Sequence, residues 1–170
     1  KIPLNFKKHN IPTNQNNILD RTIRSGEHSI KGVVSTTSPS IDIQISSNFE
    51  RLVYDSCKDS QYIQKIMSSL KKEGSFNLSE KSRSYITNYF SSDSATEEEV
   101  NDIILQYYTE YNITLDPHTA VGVACGKKQS IANDILVTLS TAHPAKFKET
   151  VSKIISNDSF ITEKVRNLDT

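Results

Sequence analysis

"LDPHTAVGVACGKK" at residues 115–128, "NDILVTLS" at 133–140 and "TAHPAKF" at 141–147 decide the fold class. In the first stretch Asp116 can accept from the free N–H groups of a helix start. Pro117 suits the first helical position, and Gly126 is placed to close the end. Ala120, Gly122 and Ala124 leave that helix slim, so a neighbouring backbone or a ligand can approach it closely. The second stretch is an apolar run of strand length and predicts a buried, parallel strand. A last helix follows Pro144, with Phe147, Val151, Ile154 and Ile155 inward and Lys148 and Lys153 outward. Helix, strand, loop, helix is an α/β order, and ligands in open α/β sheets sit beyond the carboxyl ends of strands. "STAHP" (140–144) lies at such an end.

Upstream, "SATEEEVNDIILQYYTEYN" (94–112) predicts a helix. Thr96 and Glu99 have capping-box spacing, acids fill the first turn, and Val100, Ile103, Ile104, Tyr107 and Tyr108 make the inward stripe. Its tyrosines read as core with wet hydroxyls rather than as a base-stacking platform. Residues 75–93 are polar and rich in hydroxyls, with one modest helix around Tyr85, Ile86, Tyr89 and Phe90. Before them come two helices broken near Lys58-Asp59-Ser60. One starts at Ser47 or Asn48, with Ser47 and Glu50 as a capping box. The other carries Tyr62, Ile63, Ile66, Met67 and Leu70 and stops at Gly74. "GVVSTTSPSIDIQIS" (32–46) alternates at Ile41, Ile43 and Ile45 but is interrupted by Ser38-Pro39, so it reads as strand-like or extended around a turn. Near the start, Ile18, Leu19, Thr22 and Ile23 have helical spacing and Gly26 closes the helix.

The chain has 170 residues, enough for one domain with its own core. Twenty basic and twenty acidic residues cancel, so no global field gathers nucleic acid, and a charged ligand must be met locally. Cys57 and Cys125 have neither metal-ligand spacing nor disulfide-framework density and read as free thiols, which favours a reducing, cytoplasmic setting. No stretch approaches a membrane span or a signal-peptide core. The sequence begins without Met inside what reads as an ordered segment, which raises the expectation of a piece of a longer protein.

A hydrolase triad of Ser140, His143 and Asp116 lacks any G-x-S-x-G elbow. His9, His28, His118 and His143 lack paired metal spacing, so no metal site is expected, and the five glycines form neither a dinucleotide nor a Walker loop. What remains is polar residues at element ends: 38–40, 46–48, 116–119 and 140–143. Each has a capping explanation, and His118 and His143 read equally well as satisfied turn residues.

Three stretches go further: "TTSPSIDIQISSNFERLVYD" (36–55), "LDPHTAVGV" (115–123) and "LSTAHPAKF" (139–147), preceded by "TNQNNIL" (13–19). In that order they closely resemble the C-terminal part of threonine synthase, in its long bacterial and fungal form. Ile41 departs from the family's usual Met, and Asn17 from its usual Asp.

The resemblance implies part of the large domain of a pyridoxal-5'-phosphate (PLP) enzyme of the tryptophan-synthase-β class, helix-rich with a few parallel strands. It implies conversion of O-phosphohomoserine and water to L-threonine and phosphate, with the cofactor supplying the carbanion chemistry. The lysine that binds the cofactor covalently and the loop that holds its phosphate belong to motifs upstream of the matched region, so no catalytic lysine is expected in residues 1–170. On this resemblance Thr141 faces the cofactor's ring nitrogen. Asn48, Arg51 and Lys146, at or near helix starts, are substrate-anion candidates, with His118 a weaker one. Arg51 and Lys146 also read as loop anchors. Two other functions stay open: a threonine-synthase-like phospho-lyase giving 2-oxobutyrate, and a non-catalytic interaction domain derived from the enzyme. The expected partners are the small substrate and the missing N-terminal part, with no nucleic acid and no membrane.

Overall fold

Local signals place most of the helices, while the sheets are made by contacts distant in sequence. The computed structural model describes residues 7–130 and 135–157. In chain order it contains β1 (His9–Thr13), α1 (Ile18–Ser25), β2 (Glu27–Ser29), α2 (Ser47–Cys57), α3 (Ser60–Glu73) and β3 (Ser75–Asn77). These are followed by α4 (Glu80–Tyr89), β4 (Phe90–Ser94), α5 (Glu97–Tyr111), α6 (Pro117–Gln129) and α7 (Lys148–Ile155). Short 3-10 turns occupy Pro39–Ile41 and Pro144–Phe147.

β1 and β4 pair in parallel, from His9 opposite Phe90 to Thr13 opposite Ser94. A parallel pair needs a crossover, and here the crossover is the whole α1 to α4 unit, which carries its own antiparallel pair, β2 with β3. α6 and α1 lie against the parallel pair. Two cores flank this arrangement. One joins Val100, Ile103 and Ile104 of α5 to Ala120, Val121, Val123 and Ala124 of α6 and Val151 and Ile155 of α7. The other joins Ile23, Phe49, Val53, Ile63, Ile66, Leu70, Phe76 and Ile86. Between them Asp20 is buried, accepting from Ser92 Oγ at 2.7 Å and from Arg24 Nε at 2.8 Å, which ties α1 to β4.

The helix ends follow the chemistry of the sequence. Thr96 and Glu99 close a reciprocal capping box on α5, a cap worth about 1 kcal/mol. Gly26 and Gly74 end α1 and α3 at φ 85° and 72°, a conformation a side chain resists. The break between α2 and α3 falls at Lys58 and Asp59, as expected. Two caps differ from expectation by position. Ser46, not Ser47, caps α2, accepting from Phe49 N–H, because Ser46 keeps the extended backbone that a cap requires. α6 does not stop at Gly126 but continues to Gln129, with Ser130 as its cap residue, since the Gly126 backbone is held in the core. The Ile41, Ile43, Ile45 alternation becomes a 3-10 turn and loop instead of a strand, because Pro39 at the turn start fixes its backbone there.

The larger correction concerns the expected strand. Asn133 and Asp134 lie outside the described residues, and Ile135–Ser140 is extended chain without a ladder. Ile135, Val137 and Leu139 are 92%, 64% and 84% exposed. On the other side Thr138 is half-buried and Leu136, still 44% exposed, reaches toward α6. A Cβ at Gly122 would stand 3.0 Å from Thr138 Cγ2, and one at Gly126 would stand 2.9 Å from both Leu136 methyls. The alternation is that of a strand, but no strand among the described residues lies beside it to accept its backbone bonds. The slimness of α6 serves this close approach, as its small residues implied.

In the second core His28 is sandwiched between Phe49 and Phe76, with ring centroids 5.6 and 4.7 Å away. Its Nδ1 lies 3.0 Å from Thr22 Oγ1. Burial pushes the imidazole below its ordinary pKa, against the backbone hydrogen bond at Gln44.

Candidate functional site

Asp116 caps α6, accepting from the His118 N–H at 3.0 Å and the Thr119 N–H at 3.4 Å. Its side chain is wholly buried, and its second oxygen takes the Thr119 hydroxyl and the Ala142 N–H at 3.3 Å. The Thr119 oxygen in turn accepts the Thr141 N–H at 2.9 Å. The turn that follows the extended segment is thus pinned to the start of α6 by its backbone. The Thr141 side chain is exposed, like the residues at 135, 137 and 139.

His118 is buried, and both of its ring nitrogens are engaged. Nε2 accepts the Ser40 N–H at 3.1 Å, which requires the hydrogen on Nδ1, 3.2 Å from Asp116 Oδ1. Its ring also meets Phe147, centroid to centroid at 4.8 Å. His118 is thus a fastening between the Ser-Pro-Ser turn, α6 and the final turn, with both ring nitrogens engaged by groups of the chain itself. His143 is likewise a turn residue, its Nδ1 accepting from the Ala145 N–H at 3.2 Å.

Asn48 and Arg51 lie together and exposed on the first turns of α2, with Arg51 donating to Asn48 Oδ1 at 3.3 Å. Lys146 is exposed in the turn before α7, its own N–H donating to His143 O. The geometry joins Thr141 to α6 and Asn48 to Arg51. No hydrogen bond or ion pair among the described residues links the α2 pair to Thr141 or Lys146.

A second polar knot centres on Asp42. Asp42 Oδ1 accepts from Asn14 Nδ2 at 2.6 Å, Asn16 Nδ2 at 2.8 Å and Thr36 Oγ1 at 2.6 Å, and Oδ2 accepts from Thr36 N–H at 2.9 Å. Asn14, Asn16 and Ser38 are buried. Asn14 Nδ2 also reaches Thr36 Oγ1 and Ser38 Oγ, and Asn16 exchanges bonds with the Val34 backbone. Burial works to raise the Asp42 pKa, but the bonds from Thr36, Asn14 and Asn16 outweigh it and hold the carboxyl below its usual range. The four donors come from positions up to 28 residues away, so only the recurrence of Asn in "TNQNN" signalled the knot.

Both cysteines are free. Cys125 lies in the core, its thiol facing Thr13 O at 3.7 Å, and burial pushes its pKa up to about 11. No helix among the described residues is long and apolar enough to cross a membrane.

These positions can be compared with known proteins. The family model "Threonine synthase, C-terminal" matches residues 119–170. A threonine synthase of Saccharomyces cerevisiae is 36% identical over 100% of this chain and 38% of its own length. One of Pseudomonas aeruginosa is 32% identical over 84% of the chain and 31% of its own length. Among solved structures, a PLP-bound threonine synthase from Brucella melitensis superposes with a TM-score of 0.86 at 39% identity, over 92% of this chain and 34% of that one. The yeast threonine synthase structure gives 0.87 at 33% identity, over 99% of this chain and 38% of that one. The chain thus spans roughly a third of the length of the relatives it matches.

Proposed function

Since this chain carries the sequence and the fold of the C-terminal portion of threonine synthases, we propose that it forms the C-terminal part of a longer PLP-dependent enzyme converting O-phosphohomoserine and water to L-threonine and phosphate. The observation that supports this best is the convergence of the three resembling stretches on one helix start. Ser40 of the first is held by His118 of the second, and Thr141 of the third is held by Thr119.

The residues fit the cofactor's ring side. Thr141 presents an exposed, neutral hydroxyl from a pinned turn, while the nearby carboxylate of Asp116 is buried and occupied by other donors. A neutral hydroxyl can share a hydrogen bond with a pyridine nitrogen without the negative charge that would keep that nitrogen protonated. Bound there, PLP supplies an electron sink for carbanion chemistry on the substrate. Asn48, Arg51 and Lys146 offer exposed donors for the substrate's anionic groups. The residues that anchor the cofactor covalently and hold its phosphate belong to the preceding part of the enzyme. The 170 residues alone turn over no substrate, and the enzyme works in the cytoplasm.

The test uses the full-length enzyme with O-phosphohomoserine. Thr141→Val keeps the shape and removes a bond worth about 1 kcal/mol net, so PLP affinity falls about five-fold. Thr141→Asp protonates the nitrogen and shifts the product ratio. Wild-type affinity and turnover in the first variant, with a wild-type product ratio in the second, would remove Thr141 from the cofactor site. Release of 2-oxobutyrate in place of threonine by the unmodified enzyme would make it a phospho-lyase.

A further inference from the structure

An N-cap needs one carboxylate oxygen, and in Asp116 that is Oδ1, which takes the His118 and Thr119 amides. Oδ2 has a different task. It receives the Thr119 hydroxyl and, 26 residues away in sequence, the Ala142 N–H at 3.3 Å. With its proton given to Asp116, the Thr119 hydroxyl has only lone pairs to offer, and one of them accepts the Thr141 N–H at 2.9 Å. Two consecutive backbone N–H groups therefore end on a single buried carboxylate, one directly and one through a hydroxyl. Fixing the amides on both sides of the Thr141 α-carbon fixes the direction in which its side chain leaves the backbone.

We propose that Asp116 and Thr119 are positioning residues: through the Thr141 and Ala142 amides they aim the Thr141 hydroxyl at the pyridine nitrogen. This rests on the assignment of Thr141 to the cofactor. The same arrangement keeps charge and hydroxyl apart. The negative group that holds the turn lies in the interior, and what reaches the exposed face is neutral. A carboxylate at position 141 would supply hydrogen bonding and charge together, whereas here the two are on different residues joined by a hydroxyl.

The experiment compares Thr119→Val, Thr119→Ser and Thr141→Val in the full-length enzyme. The first readout is hydrogen–deuterium exchange of the peptide covering 139–147 in the cofactor-free enzyme. Thr119→Val should speed exchange at Thr141 about ten-fold or more, and Thr119→Ser, which keeps the hydroxyl, should restore wild-type protection. The second readout is the PLP dissociation constant together with the pH midpoint of the cofactor's absorbance. Thr119→Val should weaken binding about three- to five-fold and move the midpoint in the same direction as Thr141→Val, and Thr119→Ser should be close to wild type. If Thr119→Val folds poorly, Thr119→Ala removes the same bond without adding bulk on the Asp116 side. Unchanged exchange in Thr119→Val overturns the relay. Faster exchange with wild-type PLP affinity and absorbance, in an enzyme where Thr141→Val is impaired, reduces Thr119 to a structural contact and overturns the positioning role alone. A silent Thr141→Val overturns the cofactor assignment and the positioning role with it.

Discussion

Replacing Asp42 by Ala deletes the acceptor at the centre of the knot formed by Asn14, Asn16 and Thr36. The cost follows from what each donor has left. Asn14 Nδ2 keeps Thr36 Oγ1 at 2.8 Å and Ser38 Oγ at 3.0 Å, and Asn16 Nδ2 keeps Val34 O at 2.8 Å. The Thr36 hydroxyl can turn to Ser38 Oγ, 3.2 Å away. The Thr36 N–H has no substitute, and such an orphan costs roughly 1–3 kcal/mol. Weakening three charge-assisted bonds to neutral ones adds about 1–2 kcal/mol, giving about 3 kcal/mol in all. Asp42→Asn can turn its oxygen toward the three side-chain donors and meets one donor-to-donor conflict at Thr36 N–H, so about 2 kcal/mol is expected. Both are large against a total of roughly 5–15 kcal/mol. Urea unfolding followed by circular dichroism measures them. The pH dependence gives an independent check. Because the folded-state pKa of Asp42 is depressed, its contribution is complete above the unfolded value of about 3.9 and is lost as pH falls below it, and Asp42→Asn should lack that part of the acid sensitivity. An Asp42→Ala penalty below about 0.5 kcal/mol, or an acid profile unchanged by Asp42→Asn, would refute the reasoning.

His28 gives the opposite group the same kind of sign. Its pKa is lowered by burial, so stability is complete above the unfolded histidine value of about 6.5 and declines as pH falls below it, and thermal unfolding of His28→Gln should lose that slope. The exposed row of Ile135, Val137 and Leu139 should make the isolated 170-residue chain self-associate, and Val137→Lys should shift its sedimentation toward monomer, whereas a wild-type monomer at high concentration would contradict this. Cys125, with its thiol pushed up to about 11 and buried, should resist a thiol reagent at pH 8 until the chain unfolds, while the half-buried Cys57 reacts first; mass spectrometry of the labelled peptides decides it.

The parts of the fold legible in the sequence are those whose physics is local. Thr96 with Glu99, Gly26, Gly74 and Asp116 with Pro117 each announce a helix boundary within four residues, and the structure uses all of them. β1 and β4 were not legible. "FSSDS" has no apolar alternation, and its partner is 81 positions away at each step of the ladder, so neither strand signals itself. In the 133–140 run the strand-like apolar length was readable, but not that no strand among the described residues lies beside it, which depends on chain elsewhere. Thr141 and the α2 pair were singled out as candidates from the resembling stretches alone, whereas the Asp42 knot and the commitment of both His118 nitrogens are products of three-dimensional meeting. A histidine just inside a helix start looks the same in sequence whether its ring is free or used.

The contact between α6 and the extended segment works as a vernier. Four residues of helix advance about 6.0 Å and two of extended chain about 6.6 Å, so Gly126 with Leu136 and Gly122 with Thr138 fall into step over one repeat. Beyond that repeat the turn leaves the helix and is held at its start by Thr119 with Thr141. The segment's length is therefore metered by the helix. One residue gained or lost between Leu136 and Thr141 would turn the Ile135, Val137, Leu139 row onto the glycines, or carry a different side chain to the position where Thr141 emerges. Among homologous chains, insertions and deletions should accumulate in the loops on either side and leave this six-residue interval ungapped.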